Sequence, residues 1–514
     1  MQSGQIAAGP GPEMREQTAA PRGAGLVLRL GAALLAAAAI LAALTMLWHE
    51  SAGIETTELR IGDTPATLYA LPGTEAAPLV VVAHGFSGSR QFMQGFSLTL
   101  ARSGYAALAF DFQGHGRNPA PMSGDVNAVD GTTQRLIDET NRVIAAGLAR
   151  REAGGGLALV GHSMATDVLV RAAAQRDDVD AIAAVSMYSE AVTAETPHRL
   201  LMVTGQWEPH LREAALDYMG MVTPGAVEGE TAQSGEIVRR AVVAPYVEHV
   251  GVLYSETTLT EVRAWLDDTF GRESAAPVAQ RGPWVALLMV GIVALAWPVF
   301  SAFPERGAAL VPTWRAIALA TVLPALAAPL VLWPVETSVL PVLVADYLAF
   351  HLAVYGALQI GLLYAMGYRL PLGGGWAALA LALYGIGVFG LALDAFGASF
   401  VPHAGRLPII AAVALGAVPF MLGDALATAG GRAPLLRRLA VRLGLFVSLA
   451  IAVSLDFEGL FFVVLILPII LLFFVIYGTM GGWIGRRAGP LAQGLGLGFC
   501  LAWAIGVSFP LFSA

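Results

Sequence analysis

The stretch Leu157-Ala158-Leu159-Val160-Gly161-His162-Ser163-Met164-Ala165 decides how the rest of the chain is read. Its apolar run predicts a short buried strand, and the small residues two before and two after Ser163 predict a tight turn into a helix. A serine hydroxyl is a poor nucleophile unless a base takes its proton and its geometry is held. A strained strand-to-helix turn supplies that geometry by lifting Oγ above the end of a parallel sheet. The short pattern recurs by chance in a chain this rich in glycine and alanine, so its companions must decide.

Acyl transfer through a serine needs a base, a group that orients the base, and donors for the developing oxyanion. Each has a candidate at the end of an expected strand. His84-Gly85-Phe86 follows the run from Pro78 to Ala83, where glycine permits a turn that aims a backbone N–H inward. Phe86 N–H and Met164 N–H are the expected oxyanion donors; a plain glycine turn is the alternative. Asp111-Phe112-Gln113-Gly114-His115-Gly116 follows the next apolar run. Its Asp and His both precede the serine, whereas serine, acid and histidine follow one another in this arrangement, so they are read as shaping the loop. Val203-Thr204-Gly205-Gln206-Trp207-Glu208 ends a further strand with a carboxylate. Glu208 is expected to orient the base, with Asp217 as the fallback. Tyr246-Val247-Glu248-His249-Val250-Gly251 places His249 downstream of both, just before a final amphipathic helix. An imidazole with an unperturbed pKa of about 6.5 can take the serine proton and return it.

Residues 50 to 275 alternate β-rich runs with helical stretches, the pattern of a mostly parallel sheet with helices on both faces. Strands are expected at 78–83, 106–110, 157–160, 181–187, 200–204 and 240–243. Helices are expected at 91–103, 132–149, 165–176 and 258–270, with Thr258 and Glu261 as a capping box for the last. At this point residues 75 to 270 resemble the α/β-hydrolase superfamily. His84-Gly85, Asp111 to Gly116, Gly161 to Ala165, Gly205 to Glu208 and His249 match its successive motifs in order. The resemblance implies Ser163 as nucleophile, His249 as general base, Glu208 as acid, and Phe86 and Met164 as oxyanion donors, with His84, Gly85 and Gly161 supporting the turns. Two positions depart from the family pattern. Ala165 stands where glycine is usual, and Glu208 where aspartate is more usual. The connection after residue 188 is only about a dozen residues long, too short for the large lid that lipases of this family often carry there. The pocket is therefore expected to be open, or covered by the bilayer surface or by the spanning helices.

The composition divides the chain. Of 514 residues 56% are hydrophobic and only 13% charged. Residues 281–514 hold 7 acids and 11 bases, leaving 31 acids and 19 bases in the first 280. The first part reads as a soluble acidic domain and the second as membrane. Lysine is absent, so all 30 bases are arginine, the mark of a GC-rich genome rather than of phosphate recognition. No basic cluster points to nucleic acid. Cys500 is the single cysteine and lies in an apolar run, which excludes a disulfide framework and a cysteine-based metal site. No cofactor and no metal is assigned.

Residues 1–24 are expected to form a disordered tail, and 25–48 an uncleaved transmembrane anchor rather than a signal peptide, because the apolar region exceeds the usual length of the latter. Eight further spans are expected within 283–512: 283–303, 313–333, 341–365, 375–395, 408–428, 438–455, 459–482 and 490–512. Arginines concentrate on alternate breaks: Arg306 and Arg315, then Arg369, then Arg432, Arg437, Arg438 and Arg442, then Arg486 and Arg487. Such enrichment orients those breaks, with Arg15 and Arg22, toward the cytoplasm and the domain at 50–275 outward. Arg406 is the one dissenting charge. Tyr347, His351 and Tyr355 share one helix face inside a span, and interhelical hydrogen bonding is preferred to a lipid or proton path.

Together these readings predict an α/β-hydrolase domain joined to an all-α transmembrane bundle in a bacterial inner membrane, with the domain on the periplasmic side. The expected activity is a serine hydrolase that cleaves carboxylic esters through an acyl-enzyme, on lipid or lipid-linked substrates delivered near the bilayer. A membrane acyltransferase with the same triad is the near alternative. A transport or scaffolding protein with a non-catalytic hydrolase-like domain is the other.

Overall fold

The computed structural model describes residues 22–513 apart from 126–127, 152–154, 307–308 and 343. The expected tail lies outside the described residues as far as residue 21, and Arg15 with it. Among the described residues the strands are β1 Glu55–Ile61, β2 Thr64–Ala70, β3 Leu79–Ala83, β4 Ala106–Phe110, β5 Met122–Ser123, β6 Leu157–His162, β7 Ala181–Val185, β8 Arg199–Gly205, β9 Thr231–Ser234, β10 Ile237–Ala244 and β11 Phe512–Ser513. The helices that accompany the sheet are α2 Gln94–Arg102, α3 Gln134–Leu148, α4 Met164–Ala173, α5 Pro209–Gly220 and α6 Glu256–Thr269, and α1 Arg22–Ser51 precedes them.

Nine strands form one sheet in the order β1-β2-β4-β3-β6-β7-β8-β10-β9. The six from β4 to β10 are mutually parallel, and β2 and β9 join them antiparallel at the edges. Central strands read as unbroken apolar runs because both faces are covered: β3, β4, β6 and β7 are buried throughout. Leu136, Val143, Val168 and Met219 from α3, α4 and α5 pack one face. Phe96, Leu100, Val262 and Leu266 from α2 and α6 pack the other.

Several boundaries differ from the sequence expectation for definable reasons. The β1–β2 hairpin turns at Gly62, at φ 62°, and was not expected because β1 is largely exposed and so carries no apolar run. Strand β10 begins three residues early, at Ile237, because Arg239 is buried with its guanidinium on the carbonyls of Tyr218, Thr193 and Thr196. The expected capping box is absent: α6 begins after Ser255, Thr258 is buried within it, and Glu261 pairs with Arg240 at 3.1 Å.

Nine helical segments among the described residues are long and apolar enough to cross a membrane. They are α1, α7 Arg281–Ser301, α8 Trp314–Leu332, α9 Ala345–Ala365, a segment from Gly375 to Phe396, α12 Leu407–Ala427, α13 Leu435–Leu455, α14 Phe457–Ala488 and α15 Pro490–Ser508. The Gly375–Phe396 segment comprises α10 Gly375–Ala382, a π-helical turn, and α11 Gly390–Phe396. The Tyr-His-Tyr face of α9 is spent on neighbours: His351 Nε2 lies 2.9 Å from Ser448 Oγ of α13, and Tyr355 donates to the Thr321 carbonyl of α8.

The two parts are joined by more than the chain. Asp394 accepts the N–H groups of Phe400 and Val401 and pairs with Arg117 of the sheet domain. After α15 the chain returns to the sheet domain, where β11 pairs parallel with β5 and Leu511 N–H donates to Gly114 O. Arg406, the dissenting charge, is 1% exposed and donates to the carbonyls of Gly506, Phe509 and Gly114. It ties the segment after α15, the bundle and a sheet-domain loop together, so a loop-charge rule does not apply to it.

Replacing Arg406 by alanine leaves the Gly506 and Phe509 carbonyls without this donor, while Gly114 O keeps the Leu511 N–H, at an expected cost of about 2–3 kcal/mol. The detergent-solubilised variant should unfold several degrees below wild type, whereas alanine at the exposed Arg306 should leave the midpoint nearly unchanged. Equal midpoints for Arg406→Ala and wild type would remove Arg406 from this role.

Candidate active site

In the sheet order, β3 is followed in sequence by β4 on one side and in space by β6 on the other. A crevice opens beyond the carboxyl ends of strands at such a reversal, where open α/β sheets place their ligands. The turns after β3 and β6 both end there. Ser163 lies between β6 and α4 at φ 54° and ψ −121°. L-residues rarely adopt this conformation, and it persists only where the surroundings enforce it. Here Ser163 N–H donates to Val185 O of β7, and Ser163 O accepts the N–H and hydroxyl of Thr166.

Neighbouring glycines are required by close approach. A Cβ at Gly161 would lie 2.6 Å from Leu169 Cδ1 and 3.3 Å from Ala165 Cβ. The glycine at 161 leaves the room that the alanine at 165 occupies. A Cβ at Gly85 would stand 2.9 Å from Ser163 Cβ and 3.0 Å from His162 Nδ1. The turn after β3 is thus pressed against the serine, which brings the Phe86 N–H into its vicinity. Met164 opens α4, so its N–H is among the helix-start donors without an intrahelical acceptor. Among the described residues neither N–H is engaged by another protein group.

The three side chains picked from the sequence meet across 86 residues of chain. His249 Nε2 lies 2.8 Å from Ser163 Oγ, and His249 Nδ1 lies 2.5 Å from Glu208 Oε1. The second Glu208 oxygen accepts from Ser186 Oγ at 2.7 Å and from Gly205 N–H at 2.6 Å. Burial would raise this carboxyl, but the hydrogen bonds from His249, Ser186 and Gly205 outweigh it and hold the group below the ordinary carboxylate range. Glu208 is therefore ionised when His249 needs a counter-charge. Asp217 is exposed on α5 and makes no bond to His249, so the fallback has no place in the arrangement.

Two supporting residues, His162 and Ser186, carried no recognised signal. His162 Nε2 lies 2.8 Å from His249 O, with the two rings 4.9 Å apart. A carbonyl only accepts, so His162 holds its proton on Nε2 and clamps the backbone of His249. Its pKa is lowered to about 4 by burial and by the neighbouring His249. Ser186, at φ 50°, anchors Glu208. His84 accepts from Phe112 N–H at Nε2, so its proton is on Nδ1, donated to Gly85 O at 2.8 Å. It braces the turn after β3. Asp111 is fully buried against Arg90 at 2.7 Å and accepts the N–H groups of Arg90 and Arg117. The loop-shaping reading of Asp111 fits this geometry. His115 sits in the same loop, with its pKa lowered to about 3 by burial first and by His84 second.

The bundle touches the turn after β3. Phe86 stacks at 5.2 Å on Phe462 of α14, which continues through Phe461 to Phe457 at the exposed start of that helix. Tyr188, Trp207 and Tyr246, on the loops at the carboxyl edge, are exposed.

Residues 74–221 match the family model described as serine aminopeptidase, S33. Among solved structures the chain is similar to a CIB-like hydrolase from Thermoplasma acidophilum, at 16% identity over 42% of this chain and 98% of that one, with a TM-score of 0.33. It is also similar to a soluble variant of monoglyceride lipase from Saccharomyces cerevisiae, at 13% identity over 42% and 96%, with a TM-score of 0.31. A bacterial membrane phospholipase A aligns at 15% identity over 48% and 97%, with a TM-score of 0.32. No curated protein matches the chain.

His162 and His115 are neutral in the fold and titrate near 6.5 when unfolded. Between about pH 6.5 and 4 the unfolded chain therefore binds the extra protons, and stability falls as pH falls, by about 1.4 kcal/mol per pH unit for each histidine. Thermal midpoints at pH 7, 6 and 5 should show this, and His162→Gln should flatten the slope. A second expectation concerns reactivity. His162→Phe keeps a ring but loses the donor to His249 O, and should slow reaction of Ser163 with an active-site phosphonate by about tenfold to a hundredfold.

Proposed function

We propose that this chain, an α/β-hydrolase domain joined to a bundle of membrane spans, is a serine hydrolase that cleaves carboxylic esters of lipid or lipid-linked substrates at the bilayer surface. The observation that carries the reading is the continuous relay from Ser163 Oγ through His249 to Glu208, at 2.8 and 2.5 Å. In the first half-reaction His249 Nε2 takes the Ser163 proton as Oγ bonds to the ester carbonyl carbon. Phe86 N–H and Met164 N–H receive the carbonyl oxygen as it becomes an oxyanion. The imidazolium, balanced by Glu208, then protonates the departing alkoxide and leaves an acyl group on Ser163. Water attacks that ester through the same base, releasing the acid and restoring the serine.

The lipid class of substrate is supported by the path from the bilayer. The Phe457-Phe461-Phe462 run of α14 leads to Phe86, whose own N–H is the oxyanion donor. An acyl chain lying along these rings would have its carbonyl at Ser163. Orientation follows from the arginine-rich end of the bundle, which lies away from the sheet domain and is assigned to the cytoplasm. The sheet domain is then extracytoplasmic, as at a bacterial inner membrane.

Transfer of the acyl group to an alcohol is the second reading. It is favoured by a cavity of about 540 Å³ lined by Asp346, Tyr347, Asp456 and Leu460, two residues before Phe462. Its polar lining near the start of α14 suits an alcohol acceptor.

Treatment with a fluorophosphonate should label the wild-type protein, while Ser163→Ala abolishes labelling and His249→Ala reduces it at least about a thousandfold. A folded wild-type protein that resists the reagent would sink the proposal. Mass spectrometry of products formed from a diacyl lipid, with and without added long-chain alcohol, separates free acid from a transferred ester.

A further inference from the structure

At the end of the bundle away from the sheet domain, α13 and α14 enclose a cavity of about 740 Å³. Its walls are of two kinds. Leu439, Leu443 and Leu471 are among its apolar lining residues, and Arg438, Arg442 and Arg486 are its basic ones. The apolar side opens outward, since all three leucines are exposed on the bundle surface. Arg432 adjoins this end by donating to Arg486 O.

The charge here is unbalanced. Arg442 pairs with Asp424 at 3.3 Å and lies over the Phe474 ring, and Arg486 donates to Gly431 O. Arg438 Nε and Arg432 Nη1 are buried without a hydrogen-bond partner among the described residues. Four guanidinium groups thus face one carboxylate, a local excess of three positive charges at the edge of an apolar wall. Unpaired charge in such a setting is costly, and an anion with matching geometry relieves it. A phosphodiester satisfies the arginines, and only a phosphate that carries acyl chains also fills the leucine groove.

We propose that this cavity is a binding site for an anionic phospholipid, with its phosphate on Arg438 and Arg486 and its acyl chains along α13 and α14. Basic pockets between spans are the expected recognition element for such headgroups. The site is remote from Ser163 and does not depend on the catalytic reading.

The test uses the full chain in a mild detergent, titrated with phosphatidylglycerol or with phosphatidylcholine of the same acyl chains, and bound lipid is counted by native mass spectrometry. Phosphatidylglycerol should be retained at least about tenfold more tightly than phosphatidylcholine. The double substitution Arg438→Gln with Arg486→Gln should abolish that difference, and the double lysine variant should keep most of it. Arg438→Gln alone removes a side chain whose Nε has no partner in the fold, so it should elute and melt as wild type while losing most of the preference; it serves if the double variant misfolds. Equal retention of the two lipids would overturn the proposal. So would wild-type preference in Arg438→Gln, or displacement of phosphatidylglycerol by inorganic phosphate at matched concentration.

Discussion

The backbone at Ser163 is the constraint on which the site depends. A residue held at φ 54° and ψ −121° cannot continue the strand or start the helix, so the chain must turn there and expose Oγ. That conformation is unfavourable by itself, and the neighbouring strands compensate. Ser163 N–H is committed to Val185 of β7, while β6 pairs on its other edge with β3. Removing bulk at Gly161 and Gly85 lets the two turns approach. Because β3 and β6 are adjacent, the turns that follow them lie side by side.

The chemistry of the site is set by layers behind the reacting atoms. Ser186 and Gly205 keep Glu208 ionised, and His162 holds the carbonyl of His249. His84 and the buried Arg90–Asp111 pair hold the turn that bears Phe86. Each of these groups is polar and buried, and each is matched with a partner, since an unmatched one would cost more than the position gains. The same rule joins the two halves of the molecule. Arg406 and Asp394 are tolerable in their surroundings because they serve carbonyls, N–H groups and a partner charge at the seam. Phe462 of the bundle is set against Phe86 of the sheet domain.

Much of this was legible in the chain. Strands β3, β4, β6 and β7 were found within one or two residues because a strand covered on both faces must be apolar throughout. The spans were legible for a similar reason, since lipid imposes a long apolar run on any helix that crosses it. Edge elements were not. The hairpin β1–β2 and strand β9 are half exposed, so their composition is weakly constrained, although Gly62-Asp63 and Gly235 marked their turns. Helix α5 was overlooked between the acid and the next strand, although Pro209 stands at its first position.

The sequence by itself determined the order of serine, acid and histidine, the apolar runs of sheet and spans, and the asymmetry of arginine along the chain. These are local or sequential properties, written residue by residue through burial and solvation. Only the tertiary structure decided that Glu208 rather than Asp217 reaches His249, that His162 clamps the base, and that Arg406 is a buried tie instead of a loop charge. Those roles depend on which distant backbone groups lack a partner after folding, and that is settled by the meeting of surfaces far apart in the chain.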